Sequence, residues 1–165
     1  MKTNNNMEQD LAVFTEFGKD IVEMQGGWNV RVFNETEFTR GSGITLSDDG
    51  TINLAPGIYH ISALSLLAYG VNREQKDEDT ASEDLISAGY CGIFAGNKLL
   101  ATGSMMDYQD NTPSLIDTLL EFTNPTDIHL KHQVGPEKPK DVFLQWFGDN
   151  QSTNHVLARI TIHRL

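Results

Sequence analysis

Apolar residues recur at every second position through much of this chain, in short runs separated by turn signals. An interval of two is the repeat of a β-strand with one buried face. The pattern is clearest from Gly50 to Leu67, Gly-Thr-Ile-Asn-Leu-Ala-Pro-Gly-Ile-Tyr-His-Ile-Ser-Ala-Leu-Ser-Leu-Leu. Ile52 and Leu54 point inward from a short strand, Pro56-Gly57 turns the chain, and Ile58 to Tyr69 is the longest strand predicted. Tyr59, Ile61, Ala63 and Leu67 share one face of it. Ile58, His60, Ser62, Leu64 and Leu66 share the other. Apolar groups on both faces require cover on two sides, from a partner sheet and from a neighbouring segment or subunit.

The same spacing continues on either side. Trp28 to Phe33 alternates, with Val30 and Val32 on one face. Gly41 to Gly43 is a flexible bend before Ile44 and Leu46, and Ser47-Asp48-Asp49-Gly50 is a turn. Ala88 to Ala95 and Lys98 to Thr102 form a hairpin across Gly96-Asn97. Ser114 to Thr123 alternates with Ile116, Leu120 and Phe122 on one face, and Ile128 and Leu130 belong to the next strand. Val142 to Phe147 and His155 to His163 complete the set, the last with Val156, Ala158, Ile160 and Ile162 inward. About eight to ten short strands with regular turns predict an all-β fold, a two-sheet antiparallel jelly-roll sandwich.

Two stretches break the rule. From Glu8 to Met24, Leu11, Phe14, Phe17, Ile21 and Met24 recur at helical spacing, but Gly18 interrupts them and Val13 and Val22 fall off the stripe. A short N-terminal helix or arm is expected there, two short strands being the competing reading. Residues 1–26 are accordingly set apart from a jelly-roll domain at 27–165, with a polar tail over residues 1–7. Val71 to Ile86, which holds Glu74, Asp77, Glu78, Asp79, Glu83 and Asp84, has no periodicity and is expected to be an exposed acidic loop.

The order of these pieces resembles the tumour necrosis factor and complement C-one-q-like jelly roll. The likeness rests on Pro56-Gly57-Ile58-Tyr59 opening a long strand, on the hairpin from Gly89 to Thr102, and on Leu119 to Lys131 paired across Asn124-Pro125-Thr126-Asp127. It spans residues 28–165. The closing Ala158-Arg159-Ile160-Thr161-Ile162 departs from the small and aromatic residues usual in that family, and no collagen-like stalk precedes the domain. The resemblance implies a homotrimer packed about a threefold axis, with a protein or glycan ligand bound on the loops or in the grooves between subunits.

Charge narrows the partners. Acidic residues outnumber basic ones 23 to 12, for a net charge of −11, which repels nucleic acid and anionic membranes. Cys91 is the only cysteine, so no intramolecular disulfide is possible, and it is expected to be buried in a strand. The first 25 residues carry charges that break any signal-peptide core, which points to a cytoplasmic protein or one exported by another route. The sequons Asn34-Glu-Thr36 and Asn150-Gln-Ser152 carry weight only in a secreted chain.

Candidate chemistry is sparse. His129 and His132 lie three apart, and such positions on a strand face opposite ways, so they cannot share an ion without a bulge. There is no His-x-His of the cupin kind, no EF-hand spacing in the acidic stretch, no Gly-x-Ser-x-Gly and no phosphate loop. No catalytic residue, cofactor or metal is assigned. Trp146 and Phe147 are strand neighbours that face opposite ways, one toward the core and one toward an edge or interface. The expected interface therefore comprises Ile58, His60, Leu64, Leu66, Trp146 and Phe147. The function expected is a non-catalytic homotrimeric domain for assembly or binding. A cupin-like ligand- or metal-binding enzyme and a carbohydrate-binding module stand as alternatives.

Overall fold

The computed structural model describes residues 9–69, 89–106, 112–140, 142–145 and 155–165, and among them the chain forms strands and no helix. In chain order these are β1 (Leu11–Phe17), β2 (Val22–Glu23), β3 (Asn29–Val30), β4 (Glu35–Arg40), β5 (Ile44–Leu46), β6 (Ile52–Leu54) and β7 (Gly57–Ser65). They continue with β8 (Ala68–Tyr69), β9 (Tyr90–Ala95), β10 (Lys98–Thr102), β11 (Ser114–Phe122), β12 (Thr126–Gln133), β13 (Val142–Gln145) and β14 (Val156–Arg164). The acidic stretch from Val71 to Ile86 lies outside the described residues, as do Trp146 and Phe147.

One antiparallel sheet runs β11-β7-β14-β1-β4, and a second runs β10-β9-β12-β6-β5 with β3 added on β12. Their inner faces meet in a filled core. Phe14, Tyr59, Ile61, Ile160 and Ile162 come from the first sheet, and Ile52, Leu54, Ile93, Ile128 and Leu130 from the second. A small third sheet, β2-β13-β8, covers a separate apolar cluster of Met24, Leu67, Met106, Val142 and Leu144. The alternation read from the sequence is the alternation observed in β6, β7, β11 and β12, whose buried positions are every second residue.

The helical reading of the N-terminal segment is overturned. Residues 11–17 are a strand, β1, hydrogen-bonded on one side to β14 and on the other to β4. Ala12 and Phe14 point into the core, while Leu11 and Val13 stay half-buried on the far face. The register shifts between Val13 and Phe14 against β4 and between Glu16 and Phe17 against β14. Such bulges break the interval of two, so that Phe14, Thr15 and Glu16 are all buried in succession. The residues at helical spacing share no face: Phe14 and Met24 are buried, Leu11 and Phe17 half-buried and Ile21 exposed.

Between Trp28 and Phe33 the residues that go in are Asn29, Arg31 and Phe33, and Val32 is exposed. Asn29 closes the Gly26-Gly27 turn: its Nδ2 donates to the carbonyls of Gln25 and Gly27, and its Oδ1 accepts from the Gln25 N–H. Asn34, the first sequon, is engaged in the same manner. Its Nδ2 donates to the Phe17 carbonyl and its Oδ1 accepts from the Phe17 N–H, continuing the pairing of β1 past its end.

Candidate interaction face

The two sheets differ on the sides they turn away from the core. On β12, β6 and β5 the outward side is polar. Asn53 donates to Asp127 at 2.7 Å, Thr45 hydrogen-bonds Asn53 at 3.2 Å, and Thr51 meets His129 Nε2 at 2.9 Å. Apolar area on that sheet gathers around β9, where Trp28 packs edge-on against Tyr90 and Phe94 with ring centroids 5.3 and 4.7 Å apart. Gly92 makes this possible, because a side chain there would meet Leu99 Cδ1 at 2.7 Å and Trp28 Cη2 at 3.2 Å. Lys131 covers the Phe94 ring, its Nζ 4.7 Å from the centroid. The aromatic cluster is thus largely satisfied within the chain.

The five-stranded sheet presents a different outer side. Register alignment places Leu115, Leu64 and Arg159 in one row across β11, β7 and β14. Asp117, Ser62 and Thr161 form the next row, and Leu119, His60 and His163 the third. Glu121 and Ile58 end it. β1 extends the rows with Val13 beside Thr161 and Leu11 beside His163, and β4 adds Phe38 and Arg40. Leu119 is 63% exposed, Leu115 53%, Ile58 46% and Phe38 46%. Leu115 lies directly opposite Leu64, and Leu119 lies diagonally across from Ile58, so apolar area on this side is densest on β11 and β7, with Asp117 and Ser62 between the two groups.

A polar cluster sits inside this area. Asp117 Oδ1 lies 2.5 Å from His60 Nε2 and accepts from the Ser62 hydroxyl at 2.9 Å. The hydrogen bonds from His60 and then Ser62 hold the Asp117 carboxyl below its usual range. His163, directly across from His60, places its Nε2 3.2 Å from Gln9 Oε1. Arg159 pairs with Glu37 at 2.7 Å and donates to Thr15 at 3.2 Å.

Of the residues expected at an interface, the structure brings Ile58, His60 and Leu64 together on this face. Leu66 lies beyond the end of β7 and packs toward the second core with Met24 and Leu67. The sequence reading missed Leu115, Asp117 and Leu119. Their signal was the second half of the β11 alternation, Leu115, Asp117 and Leu119 on the side away from Ile116 and Leu120. His129 and His132 do face opposite ways. His132 is buried against Ser65, its Nδ1 2.8 Å from that hydroxyl, whereas His129 meets Thr51 on the outer side. Among the described residues no three His, Cys, Asp or Glu side chains converge as a metal site. Cys91 is buried beside Ser114, and burial pushes its thiol up.

Sequence reasoning also missed the buried charge of Arg31. Its side chain has no solvent exposure. Nε donates to Ser65 Oγ at 2.9 Å, Nη1 to the Leu144 carbonyl at 2.6 Å, and Nη2 to the Leu66 carbonyl. Glu16 Oε2 lies 3.5 Å from Nη1. Burial pushes the Glu16 carboxyl up, against the opposing pull of the Arg31 charge and a hydrogen bond from Gln145. Arg31 therefore joins β1, the end of β7 and β13, tying the small sheet to the five-stranded sheet.

No protein-family description matches the sequence, and no curated protein is significantly similar to it. In three dimensions the chain is similar to crystal structures of murine APRIL. The structure at pH 8.0 aligns with a TM-score of 0.57 at 10% identity, over 96% of this chain and 100% of that one. The structure at pH 5.0 gives 0.55 at 10% identity with the same coverage. At such identity the likeness is one of fold, and the fold is an all-β, tumour necrosis factor-like jelly-roll sandwich.

Proposed function

We infer that this chain is a non-catalytic jelly-roll binding domain that assembles with copies of itself, as a homotrimer, through the outer face of the five-stranded sheet. The observation that carries the reading is the contrast between the two outer faces. One is polar or internally satisfied, and the other exposes Leu115 opposite Leu64, and Leu119 diagonal to Ile58, on adjacent strands. A second copy is a fitting occupant because the face holds acids and bases at opposite sides. Asp117 and Glu121 lie on β11, whereas His163 and Arg40 lie toward β4, where Glu37 already pairs with Arg159. Copies offset around an axis bring the acidic side of one against the basic side of the next. The threefold number follows the fold likeness to the tumour necrosis factor-like jelly roll. A protein or glycan ligand then binds on loops or between subunits.

Sedimentation velocity and native mass measurement test this directly. The intact chain is expected at three times 18.4 kDa. Leu119→Glu is expected to sediment as a monomer with an unchanged unfolding midpoint. The side chain is mostly exposed in the single chain, where surface changes stay within about 0.5 kcal/mol. Against a partner, the new carboxylate costs several kcal/mol, so association weakens by at least about 100-fold. A wild-type monomer at tens of micromolar would refute the reading, as would a variant that assembles normally.

A further inference from the structure

The corner at residues 41–43 carries the chain from the last strand of one sheet, β4, to the last strand of the other, β5. Both are therefore edge strands. Thr36 and Thr39 lie beside Phe14 and Ala12 on the core side of β4, yet all six residues of β4 are exposed. The second sheet ends on β5, which has three residues, and leaves that inner side open. A cleft of about 400 Å³ lies at the ends of the two strands away from the corner. Val32, Phe33 and Leu46 give it apolar walls, and the exposed Glu35 and Asp48 also line it. We propose that this cleft is a docking site for an extended basic peptide, which adds to the free edge of β4 as a further strand and lays a lysine or arginine side chain into the cleft. Self-association uses the opposite side of the five-stranded sheet, so neither proposal depends on the other.

Charge selects the occupant. No lysine or arginine lines the cleft, and among the described residues neither Glu35 nor Asp48 has an ion-pair partner. Other carboxylates along this edge are taken. Glu37 pairs with Arg159 at 2.7 Å, and Asp10 pairs with Arg164 at 3.0 Å. Arg40, at the corner end of β4, donates to the Gln9 carbonyl at 3.1 Å. Unmatched acidic charge thus sits at the cleft end of the strand. A lysine or arginine side chain suits both parts of the lining. Its methylenes pack on Val32, Phe33 and Leu46 while its cationic end reaches the carboxylates. An acidic segment is repelled, and a purely apolar one strips water from two carboxylates without replacing it.

The backbone supplies the rest. Along an edge strand every second residue turns its N–H and C=O away from the neighbouring strand, where a further strand can pair with them. β4 offers six such residues and no proline. At the other edge of the same sheet, β11 is partly occupied. Ser104 donates its N–H to the Leu115 carbonyl at 2.9 Å and accepts the Leu115 N–H on its hydroxyl at 3.0 Å.

Fluorescence anisotropy of the full chain with a labelled octapeptide of alternating lysine and threonine tests the proposal. Saturable binding is expected, and none for the matching peptide of glutamate and threonine. Glu35→Gln with Asp48→Asn should weaken binding about tenfold, the size of two rim ion pairs. Asp20→Asn with Asp127→Asn removes the same charge from exposed acids outside the cleft and should change binding less than about twofold. Equal losses in the two double variants would assign the binding to the net charge of −11 and overturn the site. Strand addition is read with two forms of the lysine peptide, N-methylated at odd or at even backbone nitrogens. Only one set of N–H groups faces β4, so one form should bind about tenfold or more weaker than the other. Equal affinity of the two forms overturns strand addition and the proposal with it. Spermine that displaces the peptide at equal concentration would make this an amine site and overturn the peptide as its occupant. A lysine peptide that fails to bind at millimolar concentration overturns the proposal outright. None of these results moves the sedimentation mass on which self-association stands or falls.

Discussion

Replacing Arg31 with methionine tests whether its buried charge network holds the sandwich together. The substitution keeps most of the side-chain volume and removes the donors. Three carbonyl or hydroxyl acceptors lose a partner: Ser65 Oγ, Leu66 O and Leu144 O. Glu16, 2% exposed, keeps Gln145 against its carboxyl and loses the Arg31 charge. Breaking a buried pair from one side costs about 3–5 kcal/mol, a large part of a domain's total of about 5–15 kcal/mol. Glu16→Gln is the milder change, because Arg31 retains its neutral acceptors and the Glu16 contact is long at 3.5 Å. A cost near 1 kcal/mol is expected for it, the size of one hydrogen bond. The double variant removes the stranded carboxyl and should recover about 1–3 kcal/mol relative to additivity. Urea unfolding followed by tryptophan fluorescence at pH 7 measures all three. An Arg31→Met cost below about 1 kcal/mol, or a fully additive double variant, would show that the network contributes little. Burial raises the folded Glu16 carboxyl, so its contribution is complete below the unfolded value and is lost as pH rises through the folded one. Glu16→Gln should therefore cost less at pH 7 than at pH 4.

Three further outcomes follow from particular contacts. Gly41 has φ of +79°, and a Cβ there would lie 2.0 Å from Asp10 Oδ1, so Gly41→Ala should cost more than about 1–2 kcal/mol in chemical denaturation. Burial of Asp10 raises its carboxyl, but the Gly43 N–H and Arg164 outweigh this and hold it low; its stabilisation is present above the unfolded value and lost as pH falls through the folded one. Asp10→Asn should accordingly destabilise by about 1–3 kcal/mol at pH 7 and by much less at pH 3, measured by thermal unfolding at both. Gly92→Ala should displace Trp28 from its seat between Leu99 and Phe94, at a cost of about 1–3 kcal/mol and with a shift in tryptophan emission; an unchanged spectrum would place the indole elsewhere.

The strands that were legible in the sequence are those bordered by sharp turns and buried on one face. Ile52 and Leu54, Tyr59 to Ala63, and Ile128 to Leu130 repeat every second residue because nothing interrupts their pleat. β1 was illegible for the opposite reason. It runs between β14 and β4 with a register shift on each side, and its buried residues, Ala12 and then Phe14, Thr15 and Glu16, keep no interval of two. Arg31 was hidden by a sound prior, since arginine is almost never fully buried. Its burial is supported by carbonyls from Leu66 and Leu144, which lie 35 and 113 positions away along the chain. No local pattern foretells partners at that separation.

The outer face shows where pattern ends and packing begins. Alternation tells which residues share a side of a strand, but it cannot tell whether water or protein covers the second side. Ile58 and Leu64 looked two-faced from the sequence, and in the single chain Ile58 remains open. Leu66, with the same apparent character, is covered by the small third sheet once the chain leaves β7. What separates them is the position of β13 and β2, brought over Leu67 and Met24 by a chain segment distant in sequence. No described segment comes over Leu115, Leu119 and Ile58 in that way, and each has an apolar neighbour on the adjacent strand, Leu119 diagonal to Ile58 and Leu115 opposite Leu64. Isolated exposed leucines need no explanation, whereas adjoining ones on a rigid, twisted sheet form a surface whose shape is fixed before any partner arrives. A partner that meets it has little ordering entropy to supply, and a face of that kind recognises another rigid body better than it recognises a flexible peptide.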